Sequence, residues 1–464
     1  MSRAKTLSTD YLTAELEVLC RQPSSTGQLP ELRQMARIVA NSLRRSGLHT
    51  RIIQTPGAPI VLGHLQGQRP ETLILYHHYD VAHPGPWSQW SHPPFQMAER
   101  EQAIYARGVA HGKGALVAHL YAIKTLLHRE GQLPCSVLLV AEGEGLYGSP
   151  HLERLIRRHV LNRPVIGCLT TAGERDKYGK PFCYVGSKGL LRVRLSADGA
   201  ALALPSGLAT SVSNPIWQLI WALNSIKGED EDIRVNGFYD NVNGPDRKDR
   251  TILRTIALDE EGRLSAWQID DFLFGMRGSA LVRSEVTLPT CNLSSFTVEP
   301  PNMVVSIPTR ASACLDFHLV PDQDPDDIVH LLVQHLKDRS PSTIEIERLP
   351  GGYRAVRVDH QHPFVQQLLH TAERVYGQSL TVLPFGPFAL PLQLVSSQLG
   401  IPVAVVGLAR HNSAMYGPNE HLPVDDLMQH SQMLIDLMYQ YGQQKPEGRL
   451  SEVEVAQQES ETGC

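Results

Sequence analysis

The sequence lacks a dominant charge of either sign. Over 464 residues, 43 Lys and Arg stand against 48 Asp and Glu, a formal net charge of −5 at pH 7. That balance supplies no electrostatic drive toward phosphate backbones or anionic lipid, so neither nucleic acid nor a membrane is an expected partner. Long apolar runs are missing too, since no stretch approaches the roughly 20 residues of a membrane span. Met1 to Arg21 carries polar residues at every third or fourth position and has no apolar core of signal length. Cys20, Cys135, Cys168, Cys183, Cys291, Cys314 and Cys464 have no paired spacing and an odd count, which excludes a disulfide framework or a zinc knuckle. These absences lead to the expectation of a soluble, cytoplasmic protein whose cysteines are mostly buried small hydrophobes. A hydrophobic content of 42% excludes disordered and fibrous classes and suffices for one large or two to three ordinary domains.

Periodicity then predicts elements. Ser8, Thr9 and Asp10 cap a helix carrying Leu12, Leu16 and Leu19. Strands are predicted at Thr50 to Ile53, Ile60 to Leu65 and Thr72 to Tyr76, the last running into a polar cluster at His77. A helix from Gly112 to His128, with Leu116, Leu120 and Ile123 on one face, precedes strands at Ser136 to Ala141 and Val165 to Leu169. This alternation reads as a mostly parallel sheet with covering helices, whose strand ends are where such folds keep their sites. From about Leu191 the texture becomes strand, helix, strand, helix: Leu191 to Leu195, Asn214 to Ile226, Ser306 to Val320 and Asp326 to Lys337. The first texture resumes with a helix at Phe364 to Tyr376, apolar Ile401 to Leu408 and a helix at Asp425 to Tyr441. A small α+β domain, residues 191–350, therefore interrupts a larger one, residues 1–190 and 351–443; residues 444–464 are polar and are expected to be a disordered tail.

The string Leu75-Tyr76-His77-His78-Tyr79-Asp80-Val81, with Tyr105-Ala106-Arg107-Gly108 after it, resembles the co-catalytic zinc peptidases. These include carnosine dipeptidases, acetylornithine deacetylases and succinyl-diaminopimelate desuccinylases. Further matches follow in family order: Lys113-Gly114, Glu142-Gly143 with Gly148-Ser149, Lys180-Pro181, Gly237-Phe238-Tyr239-Asp240, Leu319-Val320-Pro321 and Gly417-Pro418-Asn419-Glu420. The resemblance covers nearly the whole chain and is strongest to the dipeptidase branch. It implies an α/β catalytic domain with a mixed sheet covered by helices, interrupted by an inserted α+β lid that also makes a homodimer.

The resemblance also implies two zinc ions held by a His, a bridging Asp, a Glu, a second Asp and a second His, beside a Glu that activates water. His78 matches the first ligand and Asp80 the carboxylate that orients it. The bridging Asp falls on His111, the paired glutamates on Gly145 and Leu146, the second Asp on Thr171 and the last His on Tyr416. Leucine and glycine side chains offer no ligand atoms, and Thr and Tyr are poor zinc ligands. The lid histidine of the dipeptidases falls on Pro205, and the arginine that resembles a carboxylate clamp falls on His318.

The expectation is a zinc-peptidase fold without its two-zinc centre, acting on or binding a small amino-acid or peptide-like amide. His78 with Asp80 would serve as base, and His111 and Tyr416 as acid or oxyanion donors. Thr171, Glu144, Lys188, His318 and Asn419 are the candidate substrate-binding residues. No cofactor is expected, the alternative being one zinc at a site rebuilt from His78, His111 and a carboxylate. Two other readings stay open: a non-catalytic dimeric subunit serving a protein partner, and an active metal-dependent dipeptidase with a rebuilt site.

Overall fold

Leu73, Ile74, Leu75 and Tyr76 are all buried, and they point alternately into two apolar layers. Leu73 and Leu75 pack with Leu139 and Leu169. Ile74 and Tyr76 pack with Leu138, Val140, Cys168 and Val405. A strand covered on both faces must be apolar at every position, which is why this segment reads as an uninterrupted hydrophobic run. It forms the strand Arg69–His78, inside an eight-stranded sheet of a computed structural model that describes residues 7–160, 163–176, 178–301, 305–339 and 344–443. The predicted tail and Cys464 lie outside the described residues.

The sheet runs in the order His49–Ile53, Ile60–Leu65, Cys135–Glu142, Arg69–His78, Val165–Thr171, Val403–Val406, Phe182–Tyr184 and Thr381–Leu383. Its centre is parallel: Cys135–Glu142, Arg69–His78, Val165–Thr171 and Val403–Val406 all point the same way. The two strands at the first edge and the Phe182–Tyr184 strand pair antiparallel, so the sheet is mixed. His78, Glu142 and Thr171 are brought together at the carboxyl ends of the central strands, the edge where open α/β sheets carry their sites.

The helix Lys113–Glu130 is buried on nearly every side because it lies between the sheet, Thr9–Arg21 and the C-terminal helix Val424–Gln443. Gly131, in the left-handed conformation, ends it. The helix Leu29–Arg45, which the sequence reading does not anticipate, covers the first edge of the sheet with Leu32, Met35, Val39 and Leu43.

A second, antiparallel sheet takes the order Thr290–Glu299, Arg310–Leu319, Gly186–Asp198 and Glu345–Arg348. Arg310–Leu319 alternates buried and half-buried side chains along its length, as the period-two pattern in the sequence requires. The helices Pro215–Ile226 and Pro325–Arg339 close this sheet over a third core containing Leu191, Val193, Phe317 and Leu332. The first residues of Gly186–Asp198 also pair with Val356–Arg357 and Gly386–Ala389.

Candidate active site

Asp80 follows the end of Arg69–His78 and is wholly buried, so its carboxylate needs partners. It accepts from the Gly145 N–H (3.1 Å), the Leu146 N–H (3.0 Å) and the Thr26 hydroxyl (3.1 Å). His78 Nδ1 lies 3.2 Å from Asp80 Oδ1 and 3.0 Å from the Asp80 carbonyl. One carboxylate thereby ties His78 to the short turn Gly145–Tyr147. Burial opposes a charge on His78, but the bond to Asp80 outweighs it and holds the imidazole above its ordinary value.

Two glycines let the backbone close around this ring. A Cβ at Gly145 would fall 2.5 Å from His78 Cβ, and one at Gly112 would fall 3.0 Å from the His78 carbonyl and 3.1 Å from Cε1. Gly112 also has φ +106, which L residues rarely adopt. Next to it, the His111 ring sits 4.8 Å from His78, and Tyr416 sits 5.2 Å from His111. His111 Nδ1 is buried with no hydrogen-bond partner, and burial together with the neighbouring His78 pulls this imidazole down to about 3. His78, Asp80, His111 and Tyr416, expected to act together, do form one contiguous row.

The loop carrying His111 is held by Glu420. This fully buried carboxylate accepts from Arg107 Nη1 and from the N–H groups of Gly108, Ala110 and His111 at 2.8 to 3.0 Å. Arg107 in turn donates to the carbonyls of Met415, Tyr416 and Gly417, so both sides of the His111–Tyr416 contact hang on one ion pair. Glu142, at the end of its strand, accepts from Tyr76 and Ser149; burial pushes it up to about 7.

The candidate substrate residues are placed separately. Glu144 is paired with His151 at 2.7 Å. Asn419 is occupied with Ser91, accepting from its N–H at 2.8 Å and its hydroxyl at 2.9 Å. Lys188 is buried and donates to the Leu288 carbonyl at 2.7 Å; its burial lowers it to about 8. Burial and the Lys188 charge lower His318 to about 4. Thr171 Oγ1 lies 2.9 Å from His430 Nε2.

That last contact opens a network the sequence reading misses. His430 Nε2 is 3.1 Å from His119 Nε2, and His119 Nδ1 is 2.9 Å from His77 Nε2. His119 and His430 are wholly buried and their rings stack at 5.1 Å. The available signal is a histidine on an otherwise apolar helical stripe: His119 between Leu116 and Ile123, His430 between Leu427 and Leu434.

At the positions matched above, the side chains offer imidazoles at 78 and 111, hydroxyls at 171 and 416, and no donor at 145 or 146. Among the described residues, no group of three or more His, Cys, Asp or Glu is arranged to hold a metal ion. This donor set does not fit a two-zinc centre.

The profile of Peptidase family M20/M25/M40 matches residues 74–440. The chain belongs to this family. It is similar to the Beta-Ala-His dipeptidase of Rattus norvegicus, 24% identical over 350 residues that cover 71% of each chain. The Cys-Gly metallodipeptidase of Schizosaccharomyces pombe is 23% identical over 390 residues, 80% of each chain. Among solved structures, an M20 family metallo-carboxypeptidase from Sulfolobus solfataricus superposes with a TM-score of 0.84 at 28% identity, covering 93% of this chain and 99% of the other. Human carnosine dipeptidase 1 shares the fold, with a TM-score of 0.84 at 19% identity over 94% of this chain and 97% of the other.

The buried histidines predict a specific pH dependence. Burial lowers His119 to about 3, so folded His119 stays neutral while the unfolded chain takes up a proton below about 6.5. Its contribution is intact above that value and is lost on acidification at up to ~1.4 kcal/mol per pH unit. Glu142 and Glu420, both raised to about 7, act in the opposite sense, so the measurement is a difference between proteins. His119→Gln is expected to be less stable than wild type at pH 7.5 by about 1–2 kcal/mol. In urea titrations that gap should close, or reverse by up to about 1 kcal/mol, by pH 5. A gap independent of pH would mean that His119 is not held neutral.

Proposed function

We propose that this M20 family member binds and transforms a small amino-acid or peptide-like amide at the carboxyl ends of its central strands, without metal-activated water. The observation that carries the reading is the closed His78–Asp80–Gly145 arrangement, with His111 and Tyr416 beside it. With Nδ1 committed to Asp80, His78 has Nε2 left to exchange a proton with a ligand. In acyl transfer, an acceptor amine adds to the amide carbonyl and His78 takes the amine proton. The Tyr416 hydroxyl and a His111 N–H donate to the oxyanion. The proton then passes from His78 to the leaving nitrogen as the carbon–nitrogen bond breaks, so the step needs no co-reactant besides the acceptor amine.

A second reading, an active metal-dependent dipeptidase, draws support from relatives named as metallodipeptidases. Hydrolysis of dipeptides by metal-supplemented protein, absent without added metal, would favour it. The two readings separate at His78. For metal-free transfer, His78→Gln should lower turnover of an acylated amino acid by 10²-fold or more, with chelator having no effect on wild type. Full activity in His78→Gln would remove the mechanism.

The lid surface supports a homodimer. Trp217 and Trp221 stack on each other at 6.2 Å while 55% and 52% exposed, with Ile220 between them, and Leu293 and Phe296 stand exposed on the edge strand. The same surface would serve a different protein partner in a non-catalytic subunit. Light scattering should give twice the chain mass of 51.4 kDa, and Trp217→Glu with Trp221→Glu should give the monomer. A monomeric wild-type protein would contradict the dimer. We propose a cytoplasmic location, which the buried, unpaired Cys20, Cys135, Cys168, Cys183 and Cys291 support.

A further inference from the structure

The row His77–His119–His430 ends on Thr171, and its proton arrangement decides what Thr171 can do. His430 Nε2 faces two partners, Thr171 Oγ1 and His119 Nε2, while His430 Nδ1 is buried with none. If every imidazole donated toward Thr171, His430 would carry its proton on Nδ1, where nothing accepts it. Its single Nε2 lone pair would then have to serve two donors. In the opposite arrangement, His430 Nε2–H is shared between Thr171 Oγ1 and His119 Nε2, and His119 Nδ1–H donates to His77 Nε2. The His77 proton then falls on Nδ1, which is not among the buried unpartnered atoms, and of those in the row only a bare lone pair on His430 Nδ1 is left; a buried lone pair without a partner is less costly than a buried N–H without one. Each N···N contact along the row, 2.9 Å and 3.1 Å, needs one proton between its two nitrogens.

The second arrangement makes the Thr171 oxygen an acceptor inside the protein. Its own O–H has no protein acceptor among the described residues, and Thr171 is half-buried at the carboxyl end of its strand, on the sheet edge that carries His78. We propose that Thr171 is a hydrogen-bond donor held in one orientation by His430, His119 and His77, and that it binds a carbonyl or carboxylate oxygen of the ligand. This rests on the amide-binding reading of the cleft. An N–H already donated to Oγ1 polarises the hydroxyl and strengthens what it donates. The three histidines are positioning residues: none needs to touch the ligand.

Full-chain protein labelled with ¹⁵N-histidine tests this by NMR, with single His→Gln variants for assignment. His430 is expected to carry its proton on Nε2 and His119 on Nδ1; a proton on His430 Nδ1 would overturn the proposal. Two probes then separate the acceptor chemistries, acetate for a carboxylate and N-acetylglycinamide for an amide carbonyl. At least one should shift the His430 signals in wild type and in Thr171→Ser, but not in Thr171→Val, whose affinity should fall about threefold to tenfold. A His430 response that survives in Thr171→Val, or no His430 response to either probe, contradicts the proposal. Response of His78 without His430 removes this inference and leaves the cleft reading standing; silence at both histidines removes both.

Discussion

A single buried carboxylate organises the candidate site. Asp80 has no access to water, and its partners are the His78 ring, a threonine hydroxyl and the two successive N–H groups of Gly145 and Leu146. Because those backbone groups must come to the carboxylate, the turn lies against His78, with no room for a side chain at position 145. A buried charge left without these donors would cost several kcal/mol, which is why the turn and the strand end behave as one unit.

Glu420 does the same for the other wall. It gathers Arg107 and three backbone N–H groups and thereby sets where His111 meets Tyr416. The Glu420 and Asp80 carboxylates are wholly buried and committed to hydrogen bonds, whereas the His111 Nδ1 held near them is buried without one.

Much of this was legible in the sequence, because burial on both faces writes itself as continuous apolar strands and burial on one face as periodic helices. Arg69–His78, Lys113–Glu130 and Arg310–Leu319 fall where periodicity puts them. Leu29–Arg45 does not stand out, since four arginines and Pro30 dilute its apolar stripe. The short helices Arg247–Leu253 and Gly278–Thr287 are set by packing of Leu253, Val282 and Val286 into the core rather than by pattern, and Glu260–Trp267 buries only Arg263. The row of His78, Asp80, His111 and Tyr416 was readable from motif order. The histidine network was not, because its members come from four elements and meet only in space. Asn419 shows the converse: a motif residue whose side chain is committed to a neighbouring loop.

We propose that hydrogen bonds among the chain's own groups stand in place of the family's two-metal centre. Mass-spectrometric metal analysis of untagged protein, produced with added zinc and without chelator, tests it most directly. The account predicts well under one metal per chain. Two tightly held metals per chain would contradict it and would require different side chains to stand at the ligand positions.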